Sequence, residues 1–234
     1  SLYDSGGHVN LEGIGEKSVI EHDNGYYLVS SIVDPTTNIG KILFVEISSN
    51  GIVNTLITIG EDTLRHITRN MFQENDSTFL LFANAIELNV NPDSSSDYRL
   101  IKFTKLGDIL WSEFYGLSSR NEYAQYFIKT NDDGYLLIGQ AGNIGDGNGS
   151  DAYVIKIDNM GNEEWSNYYG GSQGDLAYSG VETNGGGYLL LGWTRSFGNG
   201  DKDVYLIKVD STGNQEWFET YGASGADLGR GIIS

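Results

Sequence analysis

The chain alternates short apolar runs with clusters of Gly, Asn, Asp and Ser, and the runs recur with a period of about 50 residues. GYYLVSS from Gly25, TFLLFAN from Thr78, GYLLIGQ from Gly134 and GYLLLGW from Gly187 align on an aromatic at Tyr26, Phe79, Tyr135 and Tyr188. A second run, ILFVEIS, YRLIKFT, AYVIKID or VYLIKVD, begins at Ile42, Tyr98, Ala152 and Val204 and leads into a turn ending at Gly51, Gly107, Gly161 or Gly213. The third run carries Trp111, Trp165 and Trp217 at one register, where the first copy has Thr55. A fourth apolar stretch lies around Val19, Phe72, Ile128, Val181 and Ile232. The runs are rich in Val, Ile, Tyr and Leu, the boundaries are turn residues, and no helical periodicity appears, so each copy predicts four strands joined by short loops. Short loops make neighbouring strands antiparallel. The middle runs are continuously apolar, as expected for a sheet covered on both faces.

A four-stranded antiparallel unit, repeated, predicts an all-β fold of the β-propeller type. The sequence divides into about four complete blades, near 16-60, 64-116, 123-170 and 176-222, followed at 228-233 by the inner strand of another. The turn glycines suit positive φ, and the tryptophan after each turn places a flat side chain on the outer strand. The cassette DVYLIKVDSTGNQEW, then YG, then GGGYLLLGWT resembles the SBBP-like bacterial β-propeller repeats of secreted and surface proteins, over most of the chain. It is also similar to quinoprotein blades with an outer-strand Trp, whose docking motif has one more residue between Asp and Gly than Asp158 to Gly161 or Asp210 to Gly213. The resemblance implies an extracellular or cell-surface location.

Charge narrows the partners. The 234 residues hold 32 acidic against 14 basic side chains, a formal charge of −18, which repels phosphate backbones and argues against nucleic acid. No apolar run is long enough to insert in a membrane, and the first residues lack the basic and apolar stretches of a signal peptide. With no cysteine, disulfides, thiol catalysis and cysteine-ligated zinc are excluded.

Candidate chemistry falls on the unlike loops at about 31–41, 85–96, 141–150 and 194–202, since scaffold-supported loops carry function. Glu122, Asp175 and Asp227 precede the inner strands of successive copies, with His66 at that place in the first. Three such acids would converge, either to cap backbone N–H groups or to bind a cation or cationic ligand. Arg120, Arg195 and Trp193 are further ligand-binding candidates, Trp193 together with Tyr168 and Tyr178 as exposed sugar-stacking aromatics. Asp146, Asn148, Ser150 and Asp151 alternate oxygen ligands with glycines, and Asp201 and Asp203 stand at the parallel place, which makes calcium the one cofactor suggested, though none is required. Gly170-Gly171-Ser172-Gln173-Gly174 matches Gly-x-Ser-x-Gly without the helix or the downstream histidine of a nucleophile elbow. No catalytic set emerges. The expected function is a non-catalytic binding or scaffold module holding a protein or glycan, with remaining blades of a longer chain as further partners. The alternatives are a structural spacer in a large surface protein and a glycoside hydrolase or lyase.

Overall fold

The computed structural model describes residues 10–12 (backbone only), 18–34, 36–61, 63–87, 96–117, 120–142 and 149–233. All regular structure among them is β. It falls into two compact units, residues 1–118 and 119–234.

In the N-terminal unit, β1 (Asn10–Glu12) and β2 (Val19–His22) both pair with β3 (Gly25–Val33), followed by β4 (Gly40–Ser48) and β5 (Val53–Ile59). The second repeat is β6 (Leu64–Asn75), β7 (Thr78–Glu87), β8 (Ser96–Thr104) and β9 (Ile109–Tyr115), an antiparallel meander. One parallel pairing, Gly40 with Arg65, joins the two meanders. The C-terminal unit repeats the plan. It holds β10 (Glu122–Lys129), β11 (Tyr135–Gly142), β12 (Ser150–Ile157) and β13 (Glu163–Tyr169), then β14 (Asp175–Glu182), β15 (Tyr188–Thr194), β16 (Asp203–Val209) and β17 (Gln215–Tyr221).

Each unit buries its core between its two meanders, the ordinary way for two half-apolar layers to leave water. In the first, Tyr27, Val29, Ile42 and Phe44 meet Met71, Phe79, Leu81, Ile101 and Phe103, with the Phe44 and Phe79 rings 4.9 Å apart. In the second, Leu136, Ile138, Val154 and Tyr169 meet Ala177, Tyr188, Leu190, Tyr205 and Ile207. The turn glycines Gly51, Gly107, Gly161 and Gly213 all lie at φ between 82° and 92°, a backbone that side-chain-bearing residues rarely adopt.

Two features depart from expectation. The inner strands are interrupted: one residue bulges out at Arg69, Gln125 and Tyr178. Further, 228-233 forms no strand; Gly229 N–H donates to Gly192 O at 3.1 Å. No helix is long and apolar enough to cross a membrane among the described residues.

Candidate functional site

The third-strand starts and the inner-strand starts are drawn together at one end of each unit. In the C-terminal unit, a parallel pairing of Lys202 with Ala226 sets Asp203 beside Asp227, and the same geometry sets Asp151 beside Asp175. The glycine that ends each outer strand makes room for the pair: a Cβ at Gly170 would run into the Asp151 and Asp175 carboxylates, and one at Gly222 into those of Asp203 and Asp227. Asp175 Oδ2 accepts from Gly171 N–H at 2.8 Å and from Ser196 Oγ–H at 2.6 Å. Asp227 Oδ2 accepts from Ala223 N–H at 2.9 Å, and Asp203 Oδ2 from Asn199 N–H at 2.8 Å. Each carboxylate therefore clamps the loop four residues before it. Burial first, then the charges of Asp175 and Asp151, pushes the Tyr205 hydroxyl pKa upward, so its phenol stays protonated at this end.

Of the expected acids, Asp175 and Asp227 each stand beside a second one, Asp151 and Asp203. Among the described residues, no three acidic or histidine side chains gather as a metal site. Of the residues proposed for calcium, Asp146 and Asn148 lie outside the described residues, Ser150 and Asp151 open β12, and Asp201 is drawn aside by Arg195, with Nη2 at 2.9 Å. The loops expected to differ most, 85–96 and 141–150, fall largely outside the described residues too. Glu122 is buried at the start of β10 and does not face solvent.

The cationic candidates share a feature that residue types alone did not suggest. Every arginine of the C-terminal unit rests on an aromatic ring: Arg120 over Tyr168 at 5.5 Å, Arg195 over Trp193 at 5.9 Å and Arg230 over Tyr178 at 4.2 Å. Lys202 Nζ also sits over Trp193, at 3.9 Å. Expected as an exposed platform, Trp193 is only 8% exposed, because these cations cover it. Arg120 Nη1 is buried with no hydrogen-bond acceptor among the described residues. By strand register these groups lie at the end of the sheets that carries the paired acids: Trp193 pairs with Val204 and Leu176, and Tyr168 with Tyr153.

The N-terminal unit fills the corresponding place differently. His66 is fully buried at the position of Asp175; its Nδ1–H donates to Gly40 O at 2.9 Å, leaving Nε2 to accept from Arg99 Nη1. Arg99, also buried, is held by Glu61 through two hydrogen bonds of 2.6 Å and donates from Nε to Ser112 Oγ at 2.8 Å. Hydrogen bonds from Arg99 hold the Glu61 carboxyl down at about 2, while burial above all lowers the His66 pKa and keeps it neutral. Arg99 was not among the sequence candidates. A guanidinium inside the apolar run YRLIKFT was the available signal, since buried arginine demands a partner.

No family model and no curated protein matches the chain. Among solved structures it is similar to a protein of Bifidobacterium bifidum s17 described as a candidate exo-beta-1,3-galactanase, at TM-score 0.45 and 12% identity, over 90% of this chain and 70% of that one. It is also similar to a xylan beta-1,4-xylosidase of Bacillus halodurans C-125, at TM-score 0.41 and 11% identity, over 91% of this chain and 42% of that one.

Proposed function

We propose that the four repeats are β-propeller blades of a secreted or surface protein, and that the loop end of the C-terminal unit binds a glycan bearing carboxylates. The carrying observation is the set of cations fixed on aromatic rings: Arg120, Arg195, Arg230 and Lys202. These cations share the end that carries the paired acids, so an anion there would be held by individual guanidinium and ammonium groups rather than by a net positive field, and stacking holds each in place before the ligand arrives. Arg120, with a buried N–H that lacks an acceptor among the described residues, favours a planar carboxylate that accepts two bonds from one guanidinium. Titration calorimetry with uronate oligosaccharides and their neutral counterparts tests this. Binding confined to the uronates, weakened by salt, and reduced at least about tenfold by Arg120→Gln or Lys202→Gln supports it. Equal binding of neutral and acidic sugars, or none of either, overturns it.

A second reading, glycoside hydrolysis, draws on Asp151 and Asp175. Adjacent carboxylates can divide acid and base roles, and Asp175 Oδ1 is buried without a hydrogen bond among the described residues. Reducing-sugar release that Asp175→Asn abolishes, with the variant still folded, would favour it over simple binding.

A further inference from the structure

The loop from Trp193 to Asp203 carries two of the ring-stacked cations, Arg195 and Lys202, with Asp201 between them. Its backbone is pinned at both ends. Arg195 N–H donates to Gly174 O at 2.8 Å, and Thr194 Oγ1 accepts from the N–H groups of Ser196 at 3.0 Å and Phe197 at 3.2 Å. The Phe197 ring lies 4.7 Å from that of Phe218. On the far side Asn199 N–H donates to Asp203 Oδ2 at 2.8 Å, and Lys202 O accepts from Asp227 N–H at 2.7 Å. Asp201, enclosed by these contacts, can change its partner by rotating its side chain while the loop stays in place.

Its present partner is Arg195, and the match is incomplete. Nε–H and Nη2–H of Arg195 both donate to one oxygen, Asp201 Oδ1, at 3.0 and 2.9 Å, and Oδ2 takes no part in the contact. That edge of a guanidinium suits a carboxylate that offers one oxygen to each N–H. The pair is also exposed, Arg195 to 43% and Asp201 to 58%, where an ion pair contributes little. Arg120, stacked likewise on Tyr168, keeps a buried Nη1 with no acceptor among the described residues. One guanidinium at this end thus has an N–H unused, and another is occupied by the chain's own carboxylate.

We infer that Asp201 is a stand-in for the ligand: its carboxylate holds the Arg195 edge in the unbound protein, and the carboxylate of an acidic sugar displaces it. The inference rests on the reading of this end as a carboxylate-binding site, and it assigns that site a gate. A neutral sugar brings hydroxyls, single weak acceptors that do not displace a charged oxygen. A uronate brings two charged oxygens to the two N–H groups that now share one, so it takes the edge and Asp201 turns to solvent. The acid therefore lowers affinity for acidic sugars and, by excluding neutral ones from Arg195, raises selectivity. Trp193 keeps the guanidinium in place through the exchange.

Titration calorimetry of the full chain with galacturonate and glucuronate oligosaccharides tests the inference in a double-mutant cycle. Asp201→Ala should tighten binding by about threefold, the size of an exposed ion pair, and should give no gain in a chain that already carries Arg195→Gln. A gain of equal size in both backgrounds would be a general effect of removing negative charge, and it overturns the gate. So does a parent that binds uronates while Asp201→Ala binds them no better; the carboxylate site then stands without its gate. Absence of uronate binding in parent and Asp201→Ala alike overturns both. The Arg195 Nε–H proton resonance gives a second readout, since donation to a carboxylate moves it downfield. It should shift upfield on Asp201→Ala and return when the uronate is added; a resonance that does not return means that the ligand never takes the place of Asp201.

Discussion

Gly60 in the first repeat and Gly170 in the third end the same outer strand, yet a side chain added at Gly60 would meet the His66 imidazole and one at Gly170 would meet two carboxylates. Around Gly60 lie Lys41, His66, Arg99 and Glu61; around Gly170 lie Asp151, Asp175 and Ser196, with Tyr205 where the guanidinium stood. The backbone device is common to both, a glycine and a pinched pair of strand starts. Charge is free to reverse provided the neighbours reverse with it. The clusters therefore belong to the loops they clamp, and neither can be exchanged one residue at a time.

The largest way to break that comparison is Glu61→Ala. It leaves Arg99 buried with only a neutral imidazole and a hydroxyl for company, and removing one partner of a buried ion pair costs about 3 kcal/mol, the low end of the range because Glu61 is half exposed. Urea unfolding of the whole chain reads the loss. Replacing the pair together, Glu61→Gly with Arg99→Tyr, imports the residues of the C-terminal unit, Gly171 and Tyr205, and should restore most of the stability; if the double variant is as weak as the single, the ion pair was not the reason.

Gly170→Ala comes next, at about 2 kcal/mol by overpacking, with Asp151→Ala in the same chain relieving part of it. Gly60→Ala should cost a similar amount for another reason, its φ of 126°, and no change of neighbour should relieve it. Equal rescue at both glycines would show that the two seams are not distinct in mechanism.

What the sequence disclosed follows the same division. The strand content was legible because every repeat spells it with the same turn glycine and apolar run, and Gly51, Gly107, Gly161 and Gly213 do sit at positive φ. The inner-strand bulges at Arg69, Gln125 and Tyr178 were not legible, since these strands mix polar and apolar residues without a clean alternation that one extra residue would visibly break. The site was less legible still. Glu122, Asp175 and Asp227 share a position, but that Asp175 pairs with Asp151 and Asp227 with Asp203 depends on parallel contacts between strand starts that lie far apart in the chain. Likewise, a cation stacked on a ring, as Lys202 is on Trp193, depends on which face each strand turns outward.

Acid separates the two clusters more gently. Burial lowers the His66 pKa below 6.5, so between that value and the folded one the unfolded chain takes up a proton that the folded chain refuses, and stability falls as pH drops below about 6.5. Glu61, held at about 2 against 4.5, adds a second loss as pH falls from about 4.5 toward 2. Unfolding curves at pH 7.5 and 5.5 should differ in the parent chain and converge in His66→Gln, where a pH effect of unchanged size would remove His66 as its source.

The smallest test concerns how the two units join their sheets. At the registers of Asn167 and Tyr169, whose side chains both donate to Gly213 O, the first repeat has Ile57 and Ile59, and Ile57 reaches to 2.9 Å from a Cβ built on the turn glycine Gly107. One seam is polar and the other apolar, on the same strand geometry. Tyr169→Phe keeps the ring in the core and removes one donor, but Asn167 still serves the carbonyl, so the cost should be about 1 kcal/mol. Asn167→Ala in the same chain removes the second donor and leaves a buried carbonyl without a partner, so the two changes together should cost more than their sum. A strictly additive double variant would mean that water reaches Gly213 O, and that this seam is held by the Trp165 and Tyr169 rings rather than by its hydrogen bonds.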